Sequence, residues 1–136
     1  MLNIKNLHIR FGDAHVIKNL SFDLQPNQIL GIVGESGSGK SVSTLSILGL
    51  LGEKAKVEGS ILFQDQELTT YSEKQFQQIR GNEISMIFQE PMSSLNPSMR
   101  CGTQVEEVLL RHKKLSKAEA KQEVLSLFEK VKLPRP

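Results

Sequence analysis

Cysteine is nearly absent from this sequence. Cys101 stands alone among 136 residues, so no internal disulfide can staple the fold, a pattern that fits a reducing compartment. An excess of one charge is missing as well. Lys and Arg number 17 against 15 Asp and Glu, a net of +2, and the halves are balanced too, with 8 basic and 8 acidic residues over 1–80 and 9 and 7 over 81–136. That excludes a charged tail and the basic surplus of a bulk nucleic-acid binder. Long apolar runs are also lacking. The stretch from Ile47 to Leu51 is broken by Gly49 and falls far short of the ~20 residues that a membrane-spanning helix needs. Residues 1–10 alternate apolar and polar side chains and lack the order of a secretory signal. There is no internal repeat and no low-complexity tract. What remains is an ordinary globular composition, 38% hydrophobic and 24% charged, in a chain long enough for one domain of roughly 100 to 200 residues.

Leu7, Ile9 and Phe11 alternate with polar residues, as do Leu20, Phe22 and Leu24, with Gly12-Asp13 between the two runs. This predicts an antiparallel pair, extended back to Leu2 and Ile4 through a bulge where the phase slips at Lys5-Asn6. Pro26-Asn27 supplies a turn. Ile29–Val33 is nearly continuous in apolar residues, the pattern of a strand buried on both faces of a parallel sheet. Val42, Leu45, Leu48 and Leu51 then recur at helical spacing, with Gly52 as the expected C-cap. Further strands are expected over 58–63 and 83–88. Ser72 with Gln75 predicts a capped helix ending near Gly81, Thr103 with Glu106 a second, and Ser116 with Glu119 a third. The third carries an apolar stripe of Val124, Leu127, Phe128 and Val131.

Between the apolar run and the first helix lies Gly34-Glu35-Ser36-Gly37-Ser38-Gly39-Lys40-Ser41, which satisfies the G-x-x-x-x-G-K-[ST] spacing in the required strand, loop, helix order. Small residues at 36–39 let successive backbone N–H groups turn inward as an anion nest, and the following helix N-terminus adds partial positive charge. Lys40 can reach the β- and γ-phosphates of a bound nucleoside triphosphate, and Ser41 is placed to ligate Mg²⁺. The nest reads phosphates and not the base, so by itself it does not separate ATPase, GTPase and kinase. His8, His15 and His112 have no metal-ligand spacing and are expected as surface residues. Cys101 is expected as a packed thiol, and Lys113, Lys114 and Lys117 as a solvated helix face.

Two strings carry a family resemblance. Gly31–Ser41 resembles the Walker A form of ABC transporter ATP-binding subunits, and Phe88-Gln89-Glu90-Pro91-Met92-Ser93-Ser94-Leu95-Asn96-Pro97 resembles the Q-loop of the branch serving dipeptide, oligopeptide and nickel importers. That branch more often has Asp where this chain has Glu90. The resemblance implies an α/β, ABC-type P-loop NTPase fold. Residues 1–28 would form an antiparallel β region, 29–89 the P-loop core with an incomplete parallel sheet, and 90–136 the Q-loop and the start of a helical subdomain. It implies ATP and Mg²⁺ as cofactors, with phosphates cradled by Gly34, Glu35, Ser36, Gly37, Ser38, Gly39, Lys40 and Ser41. Gln89 would ligate the Mg²⁺ or its water and sense the γ-phosphate. Phe11 would stack on adenine, although it also completes an alternating strand pattern, and Val16 would pack beside the ribose. Implied partners are a second ABC nucleotide-binding domain, membrane permease subunits met through the Q-loop region and, indirectly, a solute-binding protein. No nucleic-acid partner is implied. The implied place is peripheral, at the cytoplasmic face of the cell membrane.

The same resemblance asks for motifs that these 136 residues do not contain. No four apolar residues run into Asp-Glu as in a Walker B strand, and there is no Leu-Ser-Gly-Gly-Gln signature or switch histidine. The chain therefore reads as the front part of a nucleotide-binding domain. The principal expectation is the energy-coupling ATPase of a peptide-type importer. The alternative is a remnant that binds nucleotide or permease without hydrolysing ATP. A soluble ABC protein of DNA repair or translation, and a GTPase or nucleotide kinase, are disfavoured by the Q-loop string and its distance from the glycine loop. Uncovered apolar surface is expected to make the chain alone poorly stable.

Overall fold

The computed structural model describes residues 1–89 and 94–133. The chain divides into two compact units, residues 1–77 and 78–136.

The first unit is built on a four-stranded, wholly antiparallel sheet of order β2-β1-β3-β4. Strand β1 (Leu2–Phe11) turns at Gly12-Asp13 into β2 (Ala14–Leu24), as the alternating pattern predicts. The expected bulge is present, since register shifts occur after Ile4 and Lys5 and Asn6 takes a φ of 48°. Strand β3 (Ala55–Phe63) pairs with the other edge of β1, and β4 (Gln66–Glu67) returns along β3. The antiparallel sheet thus draws on residues well beyond 28. Ile4, Leu7 and Ile9 from β1, Ile17 from β2 and Ile61 from β3 point to one face and are almost wholly buried, which is what alternation buys when one face of a sheet is covered.

Helix α1 (Lys40–Ile47) begins where the glycine loop predicts, but it ends earlier than expected. Gly49, not Gly52, closes it. Leu50 N–H donates to Leu45 O at 3.0 Å and Gly49 N–H to Ser46 O at 3.1 Å, the paired bonds of a Schellman motif, with Gly49 at φ 60° in the left-handed position. Leu51 is therefore outside the helix that its spacing suggests. Helix α2 (Glu73–Ile79) follows a single 3₁₀ turn (Leu68–Thr70). It starts as predicted, with Ser72 N–H and Oγ both bonded to Gln75 Oε1.

The expected strand over 29–33 does not form. Among the described residues no strand pairs with it, and Ile29 and Val33 are 97% and 94% exposed. Apolar continuity states a demand for burial, whereas a strand exists only where a neighbour completes its ladder. The expected strand over 83–88 fails for the same reason. Among the described residues its one sheet-like link is an isolated parallel bridge between Arg80 and Ile84.

In the second unit α3 (Cys101–His112) packs on α4 (Lys117–Lys130). Leu109, Ala120 and Val124 are buried, with Val105, Leu110, Leu115, Leu127 and Phe128 against them. Val131 leaves the expected stripe, being the C-cap of α4 and 67% exposed. Ser116 and Glu119 make the predicted reciprocal capping box. The start of α3 differs from expectation: its N-cap is Arg100 without a side-chain cap bond, and Thr103 lies inside the first turn. Cys101 is exposed rather than packed. Glu90, Pro91, Met92 and Ser93 of the Q-loop string, and Pro134-Arg135-Pro136, lie outside the described residues.

Candidate functional site

The glycine loop folds as a cradle whose shape is set by two backbone conformations closed to most side chains. Gly37 and Gly39 have φ of 82° and 91°, a region that costs an L-residue roughly 1–2 kcal/mol. Gly39 is also the N-cap of α1 and is buried against β2. The loop is cross-braced by Ser38 N–H donating to Glu35 O at 3.2 Å. Inside the first turn of α1, Ser43 N–H and Oγ both donate to Gly39 O, at 2.9 and 3.0 Å. The hydroxyl satisfies locally what would otherwise be a buried polar group.

Lys40 folds back over the loop. Its Nζ donates to Gly34 O and Glu35 O, each at 2.7 Å, and to Ser38 Oγ at 3.3 Å. All three ammonium donors are thereby held on neutral oxygens. An anion entering the cradle competes for them with charge-assisted bonds, which are roughly twice as strong as neutral ones. Beside the loop lies a groove of about 320 Å³ walled by Val16, Leu20, Ile32, Gly34, Ser38 and Lys40. The structure therefore gathers Val16, Gly34, Ser38 and Lys40 into one concavity, with Glu35 supplying a carbonyl to Lys40. Ser36 and Gly37 form the turn at the loop's tip. Phe11 stands half-buried at the end of β1, opposite Ala14 and Ala55, and is not a wall of this groove.

The donor set fits a phosphate chain. Helix α1 starts with no side-chain cap and no acidic residue in its first turn, so its leading N–H groups and positive dipole end face outward without a competing carboxylate. Ser41, exposed in that turn, offers a hard oxygen. Among the described residues no cluster of three His, Cys, Asp or Glu could hold a metal. A Mg²⁺ ion here would take Ser41, phosphate oxygens and water, in keeping with its preference for few protein ligands. Gln89 lies exposed in the second unit, on a bend after Phe88.

One contact escaped the sequence pattern. His8 on β1 and His15 on β2 meet with Nδ1 and Nε2 at 3.3 Å and ring centroids 5.4 Å apart. Both are half-buried, not the scattered surface residues expected. Spacing of seven along the chain carries no signal for this, because it depends on where the hairpin turns and slips register.

Comparison with known proteins points to one family. The profile of the family described as ABC transporter matches residues 17–135. The chain belongs to that family. This ABC-family chain is 51% identical over 140 aligned positions to the dipeptide transport ATP-binding protein DppD of Lactococcus lactis, covering 98% of the chain and 40% of that protein. It is 44% identical over 138 positions to the oligopeptide transport ATP-binding protein OppD of Escherichia coli, covering 98% and 41%. The chain thus spans about two fifths of the length of the curated relatives it matches. Among solved structures, an ATP-binding cassette in a dimeric post-hydrolysis state bound to ADP and Pi superposes with a TM-score of 0.81 at 23% identity. That match covers 99% of this chain and 59% of the other, and it supports the cassette fold. Among the described residues no helix is long and apolar enough to cross a membrane.

Proposed function

We propose that this ABC-family chain carries the ATP-binding face of an energy-coupling subunit of a peptide-type importer. The observation that supports it is the cradle: Lys40 held over Gly34, Glu35 and Ser38 at the mouth of an uncapped helix. In this reading the nest N–H groups and Lys40 grip the β- and γ-phosphates, and Ser41 holds Mg²⁺, which neutralises charge on the phosphate oxygens. Val16 lies along the sugar and Phe11 against the base. Gln89 answers to the γ-phosphate and passes the bound state to a permease, and a second nucleotide-binding domain closes over the nucleotide at the cytoplasmic membrane surface. The dipeptide and oligopeptide relatives support peptides as the transported class.

A second reading concerns these 136 residues by themselves. They contain no apolar run ending in Asp-Glu, the pair needed to support the metal and polarise the attacking water, so the chain alone binds nucleotide without turning it over. Equilibrium binding of a fluorescent ATP analogue with Mg²⁺ tests the first reading, with Lys40→Ala as the control. Binding that is indifferent to Lys40 sinks it. A phosphate-release assay on the same sample tests the second, which Mg²⁺-dependent turnover above background removes.

A further inference from the structure

The antiparallel register places a row of polar side chains, His8 and His15 among them, on one face of the first unit's sheet. On β1, His8 stands opposite Glu58 of β3, and Arg10 stands opposite His15 of β2 and Lys56 of β3. Directly opposed residues share a face, and diagonal neighbours remain within reach of long or aromatic side chains. His8 and His15 form such a diagonal pair. Their closest nitrogens, 3.3 Å apart, match the edge of a tetrahedral zinc site, where two bonds of about 2.0–2.1 Å set the donors roughly 3.3–3.4 Å apart.

We propose that His8 and His15 form a two-histidine chelating site for a divalent transition-metal ion of the zinc type, pinning β1 to β2 beside the Gly12-Asp13 turn. The ion binds when each neutral ring carries its one proton on the nitrogen away from its partner, so that both facing nitrogens offer lone pairs and no proton leaves the protein. Water fills the remaining positions, since no third His, Cys, Asp or Glu completes the cluster among the described residues. The local charge is mixed. Arg10, Lys18 and Lys56 oppose a dication; all three are exposed, so water and salt reduce their repulsion without abolishing it. The Glu58 carboxylate, directly across from His8, offsets part of their effect. The choice of imidazole ligands favours Zn²⁺, Cu²⁺ or Ni²⁺ over Mg²⁺ or Ca²⁺, so this site does not compete for the ion of the nucleotide cradle.

The experiment is a Zn²⁺ titration of the untagged full chain carrying Cys101→Ser, which removes the exposed thiol as a rival donor, read by competition with a chromophoric chelator. His8→Gln and His15→Gln, each checked for native circular dichroism, are expected to weaken Zn²⁺ binding at least tenfold, while His112→Gln leaves it unchanged. In parallel, Zn²⁺ added to the unmutated rings is expected to shift the His8 and His15 imidazole resonances together, at one equivalent, with Mg²⁺ inert. Stoichiometric binding unaffected by both variants, or ring resonances that ignore Zn²⁺, overturns the site and leaves a pair that only shares a proton. The ring titration needs no variant and no nucleotide, so its outcome is independent of the proposed ATP site.

Discussion

Gly39 and Ile17 approach so closely that a Cβ on Gly39 would lie 2.3 Å from Ile17 Cδ1. The contact seats the N-cap of the phosphate loop's helix on β2, so the loop takes its position from the antiparallel sheet. Gly39→Ala must accept both the strained φ and the clash, for a cost of about 2–4 kcal/mol. Gly37→Ala meets the same kind of strain, at φ 82°, but nothing within 4 Å, and should cost only about 1–2 kcal/mol. Urea unfolding of both variants checks the difference. Equal losses would mean that strain alone, without the Ile17 contact, requires the glycine.

Glu67 ties β3 to the turn that follows it. Its carboxylate accepts from Ser60 Oγ, from Ile61 N–H at 2.9 Å, and from Thr69 N–H and Oγ1 at 3.2 and 2.7 Å. Partial burial pushes its pKa up, but the bonds from Ser60, Ile61 and Thr69 outweigh this and hold it below the ordinary value. A depressed folded pKa means that the stabilisation is complete above the unfolded carboxylate pKa and is lost as pH falls through the lower, folded value. Thermal midpoints measured from pH 7 down to pH 3 should therefore fall on the acid side, and Glu67→Gln should be less stable at pH 7 with a shallower acid limb. An unchanged limb would show that this carboxylate does not contribute.

What was legible in the sequence follows from which interactions are local. The Gly12-Asp13 turn, the bulge at Lys5-Asn6, the Ser72 and Ser116 caps and the glycine loop all depend on neighbours within a few residues, and all are present. The strands expected over 29–33 and 83–88 depend on partners elsewhere, and apolar continuity cannot say whether those partners are there. The end of α1 is not legible because Gly49 and Gly52 look alike in sequence, whereas only Gly49 has its left-handed φ and the Leu50 to Leu45 bond. At the site, the motif located the cradle. That Lys40 rests on two carbonyls, and that His8 reaches His15, follow from geometry that residue spacing does not encode.

Ile29 and Val33 bury almost nothing in this chain, so their replacement should cost little folding stability, within about 0.5 kcal/mol. They are also the most exposed part of an apolar stretch with Leu30 and Ile32, and such surface drives association. Ile29→Thr with Val33→Thr should leave the urea midpoint nearly unchanged while lowering concentration-dependent light scattering. A large loss of stability would mean that the stretch is covered in solution.

Helix α4 ends with a residue poorly suited to its conformation. Leu133 N–H donates to Phe128 O and Lys132 N–H to Glu129 O, at 3.0 and 2.9 Å, which puts Lys132 in the left-handed position at φ 56°. Glycine relieves the Cβ penalty there at some cost in unfolded-chain entropy. Lys132→Gly is expected to stabilise the helix by about 0.5–1 kcal/mol, measured as a raised midpoint of helical circular dichroism. A lower midpoint would refute the relief of strain.

The Ser/Thr-x-x-Glu strings at Thr103 and Ser116 look equivalent in sequence, yet of these two only Ser116 caps a helix. Ser116 Oγ accepts from Glu119 N–H at 3.3 Å, and the Glu119 carboxylate returns a bond to Ser116 N–H at 2.8 Å. The Ser116 hydroxyl, which donates to the Glu119 carboxylate at 2.7 Å, and the Ser116 N–H together hold the Glu119 pKa below its usual value. Thr103 instead sits inside α3 and is exposed, with Arg100 at the cap. Ser116→Ala should lower stability by about 1 kcal/mol. Thr103→Ala removes a β-branched residue from a helix and should be neutral or stabilising by a few tenths of a kcal/mol. Helical circular dichroism against urea distinguishes them, and a Thr103→Ala loss as large as that of Ser116→Ala would show that the second signature caps α3 in solution.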